Sequence, residues 1–212
     1  MDTQDREEDL IQFIDAAARG NIPLLREILA SGQVAVNDAL ADGKNALMVA
    51  SSRGRHFAVE YLLQKGSEVG SADENGWTAL SFAAALANDV HAHVCRALLN
   101  AKAAVNTQTN DGWTPLMSAA FEGKANVVAL LLASKADATL VNRDGKVALH
   151  LAAFRGNTIV LRRLIKALTT TAALNQPTKL GWTSLMIAVC AGHVLAVKQL
   201  LRARAGLEIR NT

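Results

Sequence analysis

The segment DGWTPLMSAA, residues 111–120, decides the fold of this 212-residue chain. It opens with a turn signal, because glycine tolerates a positive φ and aspartate can hydrogen-bond to the backbone of a turn. The same signal recurs at Asp42-Gly43, Asn75-Gly76, Asp144-Gly145 and Leu180-Gly181. Successive turn glycines are separated by 33, 36, 33 and 36 residues, so the chain is built from repeats.

Each repeat carries the pattern of two helices. The first helix reads Leu-x-x-Ala-Ala, as in residues 149–153, and the second is a longer amphipathic segment such as residues 127–132. A glycine typical of a helix C-terminus lies between them in four of these repeats, at Gly54, Gly123, Gly156 and Gly192. Such a unit cannot bury its apolar face alone, so the period predicts a solenoid of stacked units.

On these residues the chain resembles the ankyrin-repeat family. Residues 111–120 are close to the family signature, and residues 145–153 are a looser copy that keeps its histidine, His150. The resemblance implies an all-α fold, an ankyrin-type α-solenoid of stacked helix–turn–helix repeats joined by β-hairpin-like loops. The resemblance covers nearly the whole chain, and we predict a single ankyrin-repeat domain over residues 1–212. Its six repeats span about 6–40, 41–73, 74–109, 110–142, 143–177 and 178–212.

Two insertions interrupt the period. Three extra residues fall around 87–90, between the two helices of the third repeat. Another three fall near 169–171, after the second helix of the fifth repeat. We expect both to lie in loops, where the entropy of closure grows only slowly with length.

Composition argues against membrane-spanning and secreted proteins. The sequence has no run of about eighteen apolar residues, so no spanning helix is expected. Residues 1–9 are acidic and lack the apolar region of a signal peptide. Cys95 and Cys190 lie far apart and fit a reducing compartment better than a disulfide framework. The sequence therefore predicts an intracellular location, cytoplasmic or nuclear.

Charge is divided unevenly along the chain. Residues 1–142 carry 11 Lys and Arg against 17 Asp and Glu, a net charge of −6. Residues 143–212 carry 11 against 2, a net charge of +9. An elongated array with this pattern has an acidic end and a basic end, which bears on the partners it attracts.

No pattern of residues assembles a catalytic or cofactor site, so neither an enzyme nor a cofactor is expected. His91-x-His93-x-Cys95 is the one cluster of possible metal ligands, but on a helix only His91 and Cys95 share a face. No second cluster completes four ligands, and we predict no metal site. Cys190 and His193 are separated by the helix-ending Gly192, which disfavours a thiol–imidazole pair.

Tryptophan follows the turn glycine in three repeats, as Trp77, Trp113 and Trp182, and lysine does so in two, as Lys44 and Lys146. The resemblance implies that this residue lies on a projecting hairpin, along the surface that partners contact. Tryptophan is enriched in binding hot spots. The alternative is that each tryptophan only packs on the neighbouring hairpin.

A second row of residues ends the first helices. Phe121, Phe154 and Arg155 lie just before the closing glycine, and the resemblance implies that these positions face the concave side. Phe121 and Phe154 would then form an apolar patch flanked by Trp113 and Lys146. The alternative is that each phenylalanine packs against the next helix.

The basic residues of the last two repeats form a third candidate surface. Arg162 and Lys166 are spaced i, i+4 on a second helix, as are Lys198 and Arg202 on the next. This basic patch would suit nucleic acid, anionic lipid or an acidic protein. A solvated helix face is the favoured alternative, because neither interleaved aromatic residues nor a nucleic-acid-binding motif accompanies it.

The sequence therefore predicts a protein–protein interaction module, an adaptor or scaffold that binds a protein partner through hairpin tips and a concave groove. The predicted partner-binding residues are Lys44, Trp77, Trp113, Phe121, Lys146, Phe154, Arg155 and Trp182. The alternatives are electrostatic binding of nucleic acid or an anionic membrane by the basic C-terminal third, and a structural role within a larger assembly.

Overall fold

The computed structural model describes residues 3–86 and 89–206, with side chains at residues 6–86 and 91–206. Within these residues the chain is all-helical, and the β structure consists of two isolated bridges. This confirms the predicted fold class. The described helices are α1 (Thr3–Arg19), α2 (Ile22–Ser31), α3 (Ala46–Ser52), α4 (His56–Gln64), α5 (Ala79–Ala85), α6 (Asp89–Asn100), α7 (Pro115–Phe121), α8 (Ala125–Ala133), α9 (Ala148–Phe154), α10 (Thr158–Ala167), α11 (Thr171–Leu174), α12 (Ser184–Cys190) and α13 (Val194–Arg202).

The chain divides into an N-terminal unit, residues 1–107, and a C-terminal unit, residues 108–212. In the N-terminal unit α1, α3 and α5 pack side by side as a first layer, and α2, α4 and α6 pack against them as a second. In the C-terminal unit α7, α9 and α12 form the first layer, and α8, α10 and α13 form the second. Each repeat thus contributes one helix to each layer, as in a helical solenoid.

Hairpin-like loops precede the first-layer helices from α3 onward. In each loop the residue three positions before the turn glycine donates its N–H to the carbonyl oxygen of the residue after that glycine. The Asn142 N–H, for example, donates to the Lys146 carbonyl at 3.0 Å. The turn glycine between them, Gly145, has a φ of +76°, a conformation that favours glycine.

Side-chain caps start the first-layer helices. Asn45, Thr78, Thr114 and Thr183 each accept a hydrogen bond from the backbone N–H three residues later. Val147 stands at the equivalent position in the fifth repeat and has no side-chain oxygen. There the bond runs the other way, as in the second arm of a capping box: the Val147 N–H donates to His150 Nδ1 at 3.0 Å, and the His150 N–H donates to the Val147 carbonyl oxygen at 3.0 Å.

The core follows the Leu-x-x-Ala-Ala pattern. Leu116 and Leu149 are buried at the equivalent position of α7 and α9. The alanine pairs that follow them, Ala119-Ala120 and Ala152-Ala153, are fully inaccessible. Small side chains at these positions let neighbouring first-layer helices pack closely, as the sequence predicts.

The insertion near residues 169–171 differs from the predicted plain loop. The connection from α10 to α12 contains the short helix α11, which begins after Thr170. The Thr170 hydroxyl accepts from the Ala173 N–H at 3.1 Å, and Leu174 inserts into the core. A cap and one buried leucine therefore make this insertion helical. Within the other insertion, residues 87–88 lie outside the described part of the chain.

Candidate functional site

The hairpin residues of the C-terminal unit are held by the side chain four residues before them. The Trp113 and Trp182 N–H groups donate to the hydroxyl oxygens of Thr109 and Thr178, each at 3.1 Å. The Lys146 N–H donates to Asn142 Oδ1 at 2.9 Å. The three hairpin residues therefore project from braced turns rather than from mobile loop tips.

The helix-end residues form an aromatic cluster beside these hairpins. The Phe121 and Phe154 rings are nearly parallel, with 6.4 Å between centroids and 7° between planes. Trp113 meets Phe121 edge-on, with 5.8 Å between centroids and 85° between planes. The Arg155 guanidinium lies over the Phe121 ring, 4.7 Å from its centroid. Phe121 is half-buried by these contacts, whereas Phe154 is 55% exposed.

The two rows enclose a mainly apolar groove of about 390 Å³, which we call the aromatic groove. Part of its lining comes from the hairpins, and the rest comes from α7, α9 and α12. The principal lining residues are Trp113, Phe121, Lys146, Phe154, Leu180, Trp182 and Ile187, with His150 at the base. Five of the eight predicted partner-binding residues line this one groove, and Arg155 lies against it through Phe121.

Leu180 was not predicted from the sequence as a groove residue, although it departs from the pattern of the other turns. It stands directly before the turn glycine, where the other loops have Asp42, Asn75, Asp111 and Asp144. An apolar side chain cannot brace a turn as Asp or Asn does. Leu180 is 74% exposed and lines the aromatic groove, so this departure from the pattern marks a surface residue.

The two remaining predicted partner-binding residues, Lys44 and Trp77, lie in the N-terminal unit. Lys44 lines a separate groove of about 430 Å³ together with residues that include Arg53 and Phe82. The Lys44 ammonium donates to Asp42 Oδ2 at 2.6 Å, which raises the pKa of Lys44 and lowers that of Asp42. Trp77 is half-buried against Phe82, with 5.2 Å between ring centroids, and does not line this groove.

His150 at the base of the aromatic groove is fully buried. Burial lowers the pKa of its imidazole to about 4, although the backbone carbonyls of Gln176 and Trp182 act in the opposite direction. Within the part of the chain that the structure describes, its Nε2 makes no hydrogen bond of ordinary geometry. The ring is therefore neutral at pH 7, and its role is to cap α9 through Nδ1.

The hairpins and helix ends that contribute to the groove carry two ion pairs and two cations that form no ion pair with a described carboxylate. Lys146 pairs with Asp144, and Arg143 pairs with Asp111, each at 3.0 Å. Arg155 and Lys179 are exposed, and no carboxylate of the described residues forms an ion pair with either. The edge of the groove therefore keeps positive charge available.

The basic patch lies on second-layer helices. Arg162 and Lys166 of α10 and Lys198 and Arg202 of α13 are all exposed, and none of them lines the aromatic groove. Across the described part of the chain, no salt bridge involves any of the four. These side chains form a surface separate from the groove.

Neither the possible metal cluster around His91 and Cys95 nor the possible thiol–imidazole pair of Cys190 and His193 has the geometry of a chemical site. His91 Nε2 donates to the Ser52 carbonyl at 3.0 Å, and burial raises the pKa of the Cys95 thiol to about 12. His193 Nε2 donates to the Phe154 carbonyl at 2.9 Å, which engages it away from Cys190. Among the described residues, no three His, Cys, Asp or Glu side chains are grouped to hold a metal ion.

Among the described helices, none combines the length and the apolar character needed to cross a bilayer.

Paired helices in two layers within each unit, joined by braced hairpins, define a helical repeat protein. The family model described as ankyrin repeats matches three overlapping stretches, residues 13–90, 59–142 and 126–211. The chain belongs to the ankyrin-repeat family. Members of this family are generally protein–protein interaction modules and are typically not enzymes. A comparison with curated proteins found no match.

Proposed function

We propose that this chain is an adaptor or scaffold that holds a protein partner in the aromatic groove and along its hairpin tips. The observation that carries the proposal is the convergence of Trp113, Phe121, Phe154 and Trp182 on one groove. Large aromatic side chains around a concave apolar surface are typical of binding hot spots. The proposal is therefore supported by the site as well as by the family.

Exposure of the groove residues supports this proposal. Phe154 and Leu180 are 55% and 74% exposed, and they lie in the same groove. Apolar surface left in water costs about 25 cal/mol per Å², which a partner recovers when it covers the site. Braced turns also reduce the entropy that binding would otherwise have to offset.

Replacing Trp113 and Phe154 by alanine should weaken partner capture by about tenfold or more, because both are proposed anchors of the groove. Helical circular dichroism and the melting transition should change little, since both residues are partly exposed. The measurement is affinity purification with the tagged full chain, followed by titration of the recovered partner.

The matched control replaces Phe57 and Ile159, which are 65% and 60% exposed on the second-layer helices α4 and α10. This control also removes two exposed apolar side chains but leaves the groove intact. Equal partner capture by wild type and the groove variant would disprove the proposal. Equal loss in the groove variant and the control would place binding elsewhere.

Electrostatic attachment through the basic patch is the second candidate function. Its support is that four exposed cations on α10 and α13 lack carboxylate partners within the described residues. If four phosphates of a single-stranded oligonucleotide are neutralised, affinity should fall about 50-fold between about 50 and about 200 mM salt. Fluorescence anisotropy with a labelled oligonucleotide measures this dependence.

A fourfold replacement by serine at Arg162, Lys166, Lys198 and Arg202 should abolish that binding and its salt dependence. A control should replace four exposed cations elsewhere: Arg26, Lys65, Arg96 and Lys135. Binding that both variants lose equally would reflect net charge rather than this surface. Binding that is insensitive to salt would exclude the electrostatic function.

A further inference from the structure

We propose that the aromatic groove binds an extended peptide segment of the partner, in which a bulky apolar side chain is flanked by Asp or Glu. This inference rests on the proposed function, because it names the chemistry of the segment that the same groove would hold. It is carried by the size of the groove, the placement of its cations and the contacts of its aromatic rings.

The size of the groove favours an extended segment. Its volume of about 390 Å³ is near the lower end of the range for small-ligand sites, roughly 300–1,000 Å³. An amphipathic helix presents anchors over several turns and needs a longer apolar surface. One or two large side chains from an extended strand fit a site of this size, with the hairpin row on one side and the helix ends on the other.

Arg155 is the feature that selects a carboxylate. Its guanidinium lies over the Phe121 ring, 4.7 Å from the ring centroid, and this contact restricts the orientation of the planar group. A guanidinium held in this way is prepared for a bidentate pair with a carboxylate. No described carboxylate forms an ion pair with Arg155, so a carboxylate from the partner would complete the arrangement.

Lys146 offers a second contact for an acidic side chain. It lines the groove, and its present pair with Asp144 is solvent-exposed, with side-chain exposures of 40% and 64%. A pair of this kind contributes little stability and exchanges easily for another carboxylate. Residues 108–206 also carry 12 Lys and Arg against 4 Asp and Glu, a net charge of +8 that attracts acidic segments.

The aromatic contacts disfavour a nucleic-acid strand in the same groove. Single-stranded nucleic acids bind through bases that stack on free ring faces beside a charged path. Phe121 is already contacted by Phe154, Arg155 and Trp113, which leaves little of its surface for a base. The basic patch on α10 and α13 does not line the groove. A peptide with an apolar side chain next to a carboxylate therefore matches the lining of the aromatic groove better than a nucleic-acid strand does.

The test is selection from a phage-displayed library of random linear peptides against the full chain. The enriched peptides should combine Leu, Ile, Phe or Trp with neighbouring Asp or Glu. Synthetic copies should bind Arg155→Glu about tenfold more weakly than wild type, because the substitution repels their carboxylates. Lys135→Glu makes the same charge change at an exposed position outside both the groove and the basic patch, and it should weaken binding by less than about twofold.

The outcomes separate this inference from the proposed function. Enriched peptides without acidic residues, or equal loss in Arg155→Glu and Lys135→Glu, would overturn the acidic chemistry while leaving the groove as a protein-binding site. Failure to enrich any peptide would overturn the extended-segment inference, and partner capture would still test the groove. Peptides that bind the Trp113 and Phe154 double variant with the same affinity as wild type would overturn both the peptide inference and the proposed function of the groove. If a single-stranded oligonucleotide binds tightly to wild type but not to the double variant, the ligand of the groove is a nucleic acid instead of a peptide.

Discussion

Replacing Gly145 by alanine should lower the free energy of unfolding by about 3–4 kcal/mol. Gly145 has a φ of +76°, and an L-residue in that region costs about 1–2 kcal/mol. The added Cβ would also lie 2.7 Å from the backbone nitrogen of Lys179, in the next hairpin. That N–H donates to the Asp144 carbonyl at 3.0 Å, so relieving the contact weakens a hydrogen bond that joins two hairpins.

Gly192 is the matched control for this substitution. Its φ of +73° is nearly the same, but beyond its chain neighbours an added Cβ there would meet no atom of the described residues within 4 Å. Gly192→Ala should therefore cost only the backbone strain, about 1–2 kcal/mol. Thermal unfolding followed by circular dichroism should show a midpoint lower by about 10 °C for Gly145→Ala and by less than half of that for Gly192→Ala. Equal shifts would show that the contact with Lys179 adds nothing.

Replacing His150 by methionine should remove a large part of the acid sensitivity of the C-terminal unit. The pKa of His150 is lowered to about 4 by burial, against an ordinary value of 6.5. Below pH 6.5 the unfolded chain binds a proton at His150, whereas the native chain does not until about pH 4. Stability from this group is therefore complete above pH 6.5, and it is lost as the pH falls from 6.5 to 4.

Methionine is the matched replacement because Met48, Met117 and Met186 stand at the equivalent position of other repeats. Between about pH 7.5 and 4.5, wild type should lose about 2–3 kcal/mol more than His150→Met in urea unfolding. The pH slope is the informative quantity, because the variant also loses the cap on α9 and is weaker at every pH. Thr114→Val, which removes the side-chain cap of α7 without removing a titratable group, should keep the wild-type slope. An unchanged slope in His150→Met would contradict the prediction.

Most of the fold was predictable because the period and the glycines are local properties. The φ values of Gly112, Gly145, Gly156 and Gly192 all lie between +66° and +79°, as their turn and C-cap positions require. The insertion near residues 169–171 was not predictable in the same way. Whether Leu174 enters the core depends on a gap left by neighbouring helices, which sequence spacing does not describe.

The sequence predicted which repeat positions contribute to the candidate site, but it did not predict which side chains contact one another there. Trp77, Trp113 and Trp182 occupy the same place in the repeat, and one pattern therefore predicts one role for all three. Trp113 and Trp182 line the aromatic groove, whereas Trp77 packs against Phe82. The difference arises because α5 carries Phe82 where α7 carries Ser118, and a nearby aromatic ring gives the indole an apolar surface to cover.

The sequence by itself determined the repeat, its two helices, its turns and its polarised charge, because each depends on residue types at fixed separations along one chain. The tertiary structure decided which side chains meet. Only packing brings Phe154 onto Phe121, sets Arg155 over that ring and joins Leu180 to the same groove. Residues 33 or 36 positions apart become neighbours through stacking, and their contacts depend on shape and rotamer as well as on register.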